Sequence, residues 1–329
     1  MNFTQLRLDL WDDPALRNEL IAWIDGRLAE HDAYLLPEPP QVRVRPWSTT
    51  ARLATTLGPL WFKADAPGAE FEAALAGALY SWVPGRVLTP LGVDAKRGWS
   101  LFPDAGTTLR DQMAALDDFA VWEAMLGTYA ETQRVLSAHV RDLLALGVPD
   151  LRPSALGRRL DTFLASPGIA GVLGDDHDTL IRRRGEFDRR CRALDENAVG
   201  VSLDHGDLHV GNVFMLEGGY RFADWGDAAV AHAFCSLLAP LRFATRELNA
   251  DARALGRLRD AYLEPWTAAH SLADLRSAAR LATDLAALNR ALAWNRAFPE
   301  LAHAVAPAQH DHIARWLRTL IGRGDGTEL

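Results

Sequence analysis

The chain has 329 residues, 49% hydrophobic and 24% charged, with 35 Lys plus Arg against 43 Asp plus Glu and a formal net charge of −8. At about 150 residues per domain that length supports two sizeable cores, and the acidic balance excludes a nucleic-acid binder held by phosphate contacts. Two cysteines, Cys191 and Cys235, are too few for a disulfide framework and lack zinc-ligand spacing. The opening MNFTQLRLDLWDDP lacks the basic-then-apolar pattern of a signal peptide. No apolar run approaches the roughly 18 residues that span a bilayer, so the expectation is a cytoplasmic protein with no membrane partner.

Residues 12–30, DDPALRNELIAWIDGRLAE, predict a helix with Asp13 as N-cap, Pro14 at the first position and apolar residues at helical spacing. LLPEPP (35–40) ends regular structure. Residues 41–102 then predict a small, mostly antiparallel sheet. In it VRVR alternates, STT makes a polar turn, and RLATT and LWFKA read as strands joined by LGP (57–59). EFEAALAGAL (70–79) is a helix after the third strand, and RVLTPLGV and GWSLF are extended.

After Asp104-Ala105-Gly106 the pattern turns helical, with a long amphipathic segment over 117–147 that Gly147 terminates. The arginine-rich IRRRGEFDRRCRAL (181–194) reads as a solvated helix face in preference to a phosphate site. LDHGDLHVGN (203–212) is almost wholly polar, and NVFMLE and YRFADW around Gly218-Gly219 make a β-hairpin. Residues 230–322 are helical again. The fold class expected is α+β and bilobal: a β-rich small lobe over 1–104 and a larger, mostly helical lobe over 105–329.

Phosphoryl transfer from MgATP needs a carboxylate on the attacking hydroxyl, hard oxygen ligands for the metal and a cation on the remaining phosphates. Asp207 and Asn212 stand five residues apart on one loop, the separation of base and metal ligand in the kinase pattern H-R-D-x-x-x-x-N. Asp224-Trp225-Gly226, beyond the hairpin, takes the place of the second metal ligand. Only Lys63 and Lys96 are lysines in a chain that otherwise uses arginine, and Lys63 falls on the third strand. Its carboxylate partner belongs on the next helix. Glu70 and Glu72 face opposite ways, since two residues turn a helix by about 200°, and Glu72 starts the apolar stripe.

His205-Gly206-Asp207-Leu208-His209-x-x-Asn212 resembles the catalytic loop of the aminoglycoside phosphotransferase and choline kinase-like family of small-molecule kinases. PWSTTARLATTLGPLWFKA, GWSLFPDAGTTLRD and FADWGDA extend the resemblance over most of the chain. It implies a protein kinase-like fold that uses ATP and Mg²⁺. Asp207 would be the catalytic base, Asn212 and Asp224 the metal ligands, Lys63 the phosphate contact and Glu72 its anchor. The hinge over Phe102 to Ala105 would meet the adenine through the Pro103 carbonyl and the Ala105 N–H. His205 and His209 would hold the loop's shape. One departure is the absence of G-x-G-x-x-G before Lys63; Trp47-Ser-Thr-Thr50 stands there.

The implied acceptor is a hydroxyl of a small molecule: an aminoglycoside or other hydroxylated antibiotic, an amino sugar or an amino alcohol. A metabolic kinase without a resistance role is the alternative. From 240 to 329 there are ten Asp plus Glu against twelve Arg, whereas a polycationic acceptor calls for carboxylates. A metallophosphoesterase would need further His and Asp clusters, and a pseudokinase would lack one of Lys63, Asp207, Asn212 and Asp224. Of the remaining residues, Asp227 reads as a cap for a following helix in preference to a substrate contact. His232 and Cys235 read as packing, Asp204 as support for the loop, and Trp266, Trp294 and Trp316 as core.

Overall fold

The computed structural model describes residues 10–113, 119–297 and 307–323. In chain order its elements are α1 (Pro14–Ala29), β1 (Gln41–Arg45), β2 (Ser48–Leu53), β3 (Leu60–Asp65), α2 (Phe71–Trp82), β4 (Gly92–Asp94) and β5 (Trp99–Pro103). Helices α3 (Leu109–Met113), α4 (Ala120–Leu136), α5 (Val140–Ala145), α6 (Pro153–Leu164), α7 (Ile169–Leu173), α8 (Asp175–Arg182) and α9 (Arg184–Asp195) follow. Then come β6 (Val201–Asp204), β7 (Val213–Leu216), β8 (Gly219–Phe222) and β9 (Ala229–His232). Last are α10 (Leu238–Glu247), α11 (Ala252–Leu263), α12 (Leu272–Ala297) and α13 (Pro307–Thr319).

These elements form two compact units, Met1–Thr108 with Phe214–Gly226, and Leu109–Val213 with Asp227–Leu329. The β7–β8 hairpin groups with the first unit. There Phe214 bridges Thr108 and Phe222 bridges Val87.

In the first unit, α1 starts where the Asp13 carboxylate accepts the N–H groups of Ala15 at 2.8 Å and Leu16 at 3.2 Å. Leu20, Ile24 and Leu28, four residues apart, are fully buried in one core with Phe62, Trp99 and Leu101. The sheet is antiparallel in the order β1-β2-β3-β5-β4, so the last strand inserts beside β3 and sets Ser100 opposite Lys63. Alternation puts Phe62 and Ala64 on the α1 side and Lys63 and Asp65 on the other face. The expected STT turn is corrected. Ser48, Thr49 and Thr50 lie inside β2 and the turn is Pro46-Trp47. Thr49 is fully buried, as suits a β-branched residue on a pleated face, and Pro46 has no N–H to give a ladder.

In the second unit β6 pairs antiparallel with β9, Val201 opposite His232 and Asp204 opposite Ala229. Residue 230 therefore begins in a strand, where helix was expected, because the fully buried run AVAH completes a pair with β6. The α4 side chains pin this pair. Tyr129 Oη donates to the Leu203 carbonyl at 3.0 Å, and Gln133 Nε2 donates to the carbonyls of Leu203 at 2.8 Å and Ala233 at 3.1 Å. Tyr262 Oη donates to the Ala233 carbonyl at 2.7 Å.

The long segment expected over 117–147 breaks at Ser137–His139 into α4 and α5; its residues 117 and 118 lie outside the described residues. Gly147 does terminate it, with φ +88°. The arginine-rich stretch is divided at Arg183 between α8 and α9, and Arg184 and Arg190 pair with Asp161 at 2.6 Å and Asp284 at 2.7 Å. Among the described residues no helix is long and apolar enough to cross a membrane.

Candidate functional site

In the first unit one ammonium group collects three carboxyls. Lys63 Nζ donates to Glu72 Oε2 at 2.6 Å and Asp224 Oδ1 at 2.7 Å, and stands 3.5 Å from Asp65 Oδ1. Glu72, in the first turn of α2, uses its other oxygen to accept the Trp225 N–H at 2.9 Å. One carboxylate thus fixes both Lys63 and the chain beyond β8. Gly226 passes close by, where a Cβ would fall 2.9 Å from Glu72 Oε2. Asp224 has a left-handed backbone, φ +63°, rare outside glycine but tolerated by Asp, and its side chain is 55% exposed.

Burial alone would lower the Lys63 pKa, yet Asp224, Glu72 and Asp65 outweigh it and raise it well above the usual value. Burial raises both Asp65 and Glu72. Glu72 receives the donors of Lys63 and Trp225, which oppose that rise, while Asp65 is fully buried.

In the second unit the loop after β6 is built on buried polar groups. Asp204 Oδ1 accepts the Gly206 N–H at 3.0 Å and the Ser236 hydroxyl at 2.8 Å, so Asp204 supports the loop, as its place in the sequence suggested. Gly206 takes φ +76°, and a Cβ there would meet the Asp227 carbonyl oxygen at 2.4 Å. Asp207, half-exposed, is gripped from two sides, with Arg290 Nη2 3.2 Å from Oδ1 and His209 Nε2 3.4 Å from Oδ2. His209 Nδ1 accepts the Gly211 N–H at 3.0 Å, which leaves the ring proton on Nε2, toward Asp207. Its ring stacks on Phe243 at 5.7 Å. Burial would raise the Asp207 carboxyl, but Arg290, His209 and His205 outweigh it and hold it well below the usual carboxylate range. Arg290 Nη1 also donates to the Gly206 carbonyl and to Asp227 Oδ2, each at 2.6 Å.

Asn212 Nδ2 donates to the Asp207 carbonyl at 3.0 Å, so the amide oxygen is the atom left for a cation. Asn212 in this unit and Asp224 in the first each offer an oxygen of the kind a hard divalent ion takes. Among the described residues no three His, Cys, Asp or Glu side chains group to hold a metal. Pro103 ends β5 opposite Leu60. The next residue is fixed by its N–H on the Pro59 carbonyl at 3.0 Å and by Arg52 on its carboxylate at 3.1 Å. Half-buried Ala105 follows this anchored turn.

The structure therefore joins Lys63, Glu72 and Asp224 in the first unit, and Asp207 and Asn212 in the second. Asp227 is corrected: strand β9 follows it, leaving no helix to cap, and its carboxylate pairs with Arg290. Trp266 and Trp316 are buried, while Trp294 is half-buried and stacks on His312 at 4.5 Å. Sequence reasoning missed Asp65 and Arg290. Strand alternation puts Asp65 on the Lys63 face and could have found it; Arg290 sits in a helix of Ala, Leu and Arg that gives no signal.

No family model matches the sequence, and no curated protein matches it. Solved structures show the same fold. An ethanolamine kinase of Plasmodium vivax is similar with TM-score 0.63 at 12% identity, over 96% of this chain and 90% of that one. The amicoumacin kinase hAmiN, solved with AMP-PNP, Ca²⁺ and its ligand, gives TM-score 0.59 at 12% identity, over 93% and 96%. The choline kinase LicA of Streptococcus pneumoniae gives 0.59 at 11% identity, over 92% and 99%. The fold is thus α+β and protein kinase-like, with a five-stranded antiparallel sheet in one unit and mostly helix in the other.

Proposed function

We propose that the chain is an ATP- and Mg²⁺-dependent phosphotransferase that moves the γ-phosphoryl group to a hydroxyl of a small molecule. The observation that carries this reading is Lys63 held between Glu72 and Asp224 at 2.6 and 2.7 Å. A lysine fixed by a helix carboxylate, with an aspartate on a left-handed turn beside it, suits the non-transferred phosphates and their metal. Likeness of fold to small-molecule kinases agrees with it.

In the reaction the acceptor hydroxyl donates a hydrogen bond to Asp207, the new O–P bond forms as the bond from the γ-phosphorus to the β-bridging oxygen breaks, and ADP leaves. The hydroxyl proton passes to the Asp207 carboxylate. Arg290 makes Asp207 a weak base, so its main task is to aim the hydroxyl and take the proton late, as a loose transition state requires. Asn212 and Asp224 would hold Mg²⁺, which would supply charge neutralisation on the phosphates. Pro103 and Ala105 would receive the adenine edge through backbone groups. An ATP donor puts the reaction in the cytoplasm. Within this reading the acceptor is a hydroxylated antibiotic, an amino sugar, an amino alcohol or a metabolite.

An ATP-consumption screen over those acceptor classes tests the reading, with Asp207→Ala as the blank. The variant should stay folded, because Asp207 is half-exposed, and should lose turnover by about 10²–10⁴-fold. Turnover near wild type in Asp207→Ala would overturn the assignment.

A further inference from the structure

Helix α12 carries two arginines of opposite circumstance, Arg290 and Arg296. Arg290 is satisfied by the Gly206 carbonyl, Asp227 and Asp207. Arg296 is not: its Nε and Nη2 are buried and have no hydrogen-bond partner among the described residues. Its charged neighbours are Asp227, Arg290 and Arg159, and Asp227 already accepts Arg290 at 2.6 Å. A guanidinium keeps its charge, and buried donors without acceptors are costly to keep. Further arginines of this unit lie on aromatic rings. Arg242 lies over the Trp316 ring at 4.2 Å and Arg290 over the same ring at 6.0 Å. Arg110 lies over Phe243 at 5.4 Å, on the ring that His209 stacks against. Two carboxylates of this neighbourhood, Asp207 and Asp227, both pair with Arg290.

We propose that the acceptor is a hydroxylated oxyanion, whose carboxylate or equivalent group is received by Arg296 while its hydroxyl meets Asp207. The inference rests on the phosphotransferase reading and names its substrate class. An oxyanion supplies two acceptors in one plane, the match to a guanidinium fork. Ammonium groups would meet Arg290 and Arg296 instead, an arrangement that rejects amino sugars and amino alcohols.

Glucuronate, glucose and glucosamine share a ring and differ in charge, which makes them the probes. Thermal unfolding of the full chain should show glucuronate raising the midpoint, glucose doing so less and glucosamine not at all. Arg296→Met should weaken the glucuronate effect by about tenfold in half-saturating concentration. Without ligand the same variant should unfold at a higher temperature than wild type, because an apolar side chain replaces an uncompensated buried charge. Arg296→Lys, which keeps the charge with fewer donors, should retain part of the effect if Arg296→Met fails to fold. A glucosamine shift equal to that of glucuronate, no shift with glucuronate, or a full glucuronate shift in Arg296→Met overturns the inference. Calorimetric titration of the same samples with MgATP separates the two readings. MgATP binding alongside a failed glucuronate series removes the oxyanion class alone; absent MgATP binding removes the phosphotransferase reading.

Discussion

Lys63 carries one positive charge among Glu72, Asp224 and Asp65, at 2.6, 2.7 and 3.5 Å. In a chain with only two lysines, an ammonium here is explained by shape. A compact point charge can turn three donors toward acceptors in different directions, whereas a planar fork fixes its donors in one plane. Lys63→Arg therefore keeps the charge and breaks the geometry. It should leave the chain folded and raise KM for MgATP about tenfold or more, read from steady-state kinetics at varied MgATP. Unchanged ATP kinetics would reduce Lys63 to a structural ion pair. Asp65 belongs to the same balance. Burial and the neighbouring Glu72 carboxylate push its pKa up, while Lys63 pulls it down.

At the scale of elements, two short connections do the positioning: the loop between β6 and β7, and the turn after β8. Both rely on backbone that approaches closely. Gly206 has φ +76° and lies where a Cβ would meet the Asp227 carbonyl oxygen at 2.4 Å and its carbon at 2.9 Å. Gly206→Ala should cost about 2 kcal/mol or more in stability, from left-handed strain plus forced movement of backbone. It should also reduce turnover at least about tenfold, since Asp227 and Arg290 move with it; urea unfolding and an ATP-coupled assay read the two effects.

These connections also mark how far the sequence could be read. The loop, the hairpin and the lysine strand were legible because short-range spacing determines them. Asp207 and Asn212 share one loop, and Glu72 follows from helix rotation. The STT segment was misread because polar threonines are also good strand residues, and only the pairing of β2 with β3 decides. Arg290 was invisible because its helix is ordinary in composition and its partners lie more than sixty residues away in the chain.

For the whole molecule the consequential buried group is His232. It is 1% exposed, its Nδ1 accepts the Phe234 N–H at 3.2 Å, and it faces Phe234 edge-on at 5.2 Å. Burial pushes its pKa down to about 3, against about 6.5 in an unfolded chain. Below pH 6.5 the unfolded state binds a proton that the folded state refuses, so stability falls as pH drops from about 6.5 toward 3. At pH 5 the loss is on the order of 2 kcal/mol, about 1.4 kcal/mol for each pH unit below the unfolded value. Asp204 and Asp65 act in the opposite sense: burial raises them in the folded state, so their contribution is present at low pH and lost as pH rises through the folded pKa. Only a difference between proteins isolates the histidine. His232→Asn keeps an acceptor where Nδ1 stands and cannot take up charge. Urea unfolding at pH 7 and pH 5 should show wild type losing about 2 kcal/mol more than this variant. Equal losses in the two proteins would mean that His232 titrates alike in both states, and would move the acid sensitivity of the fold to its carboxylates.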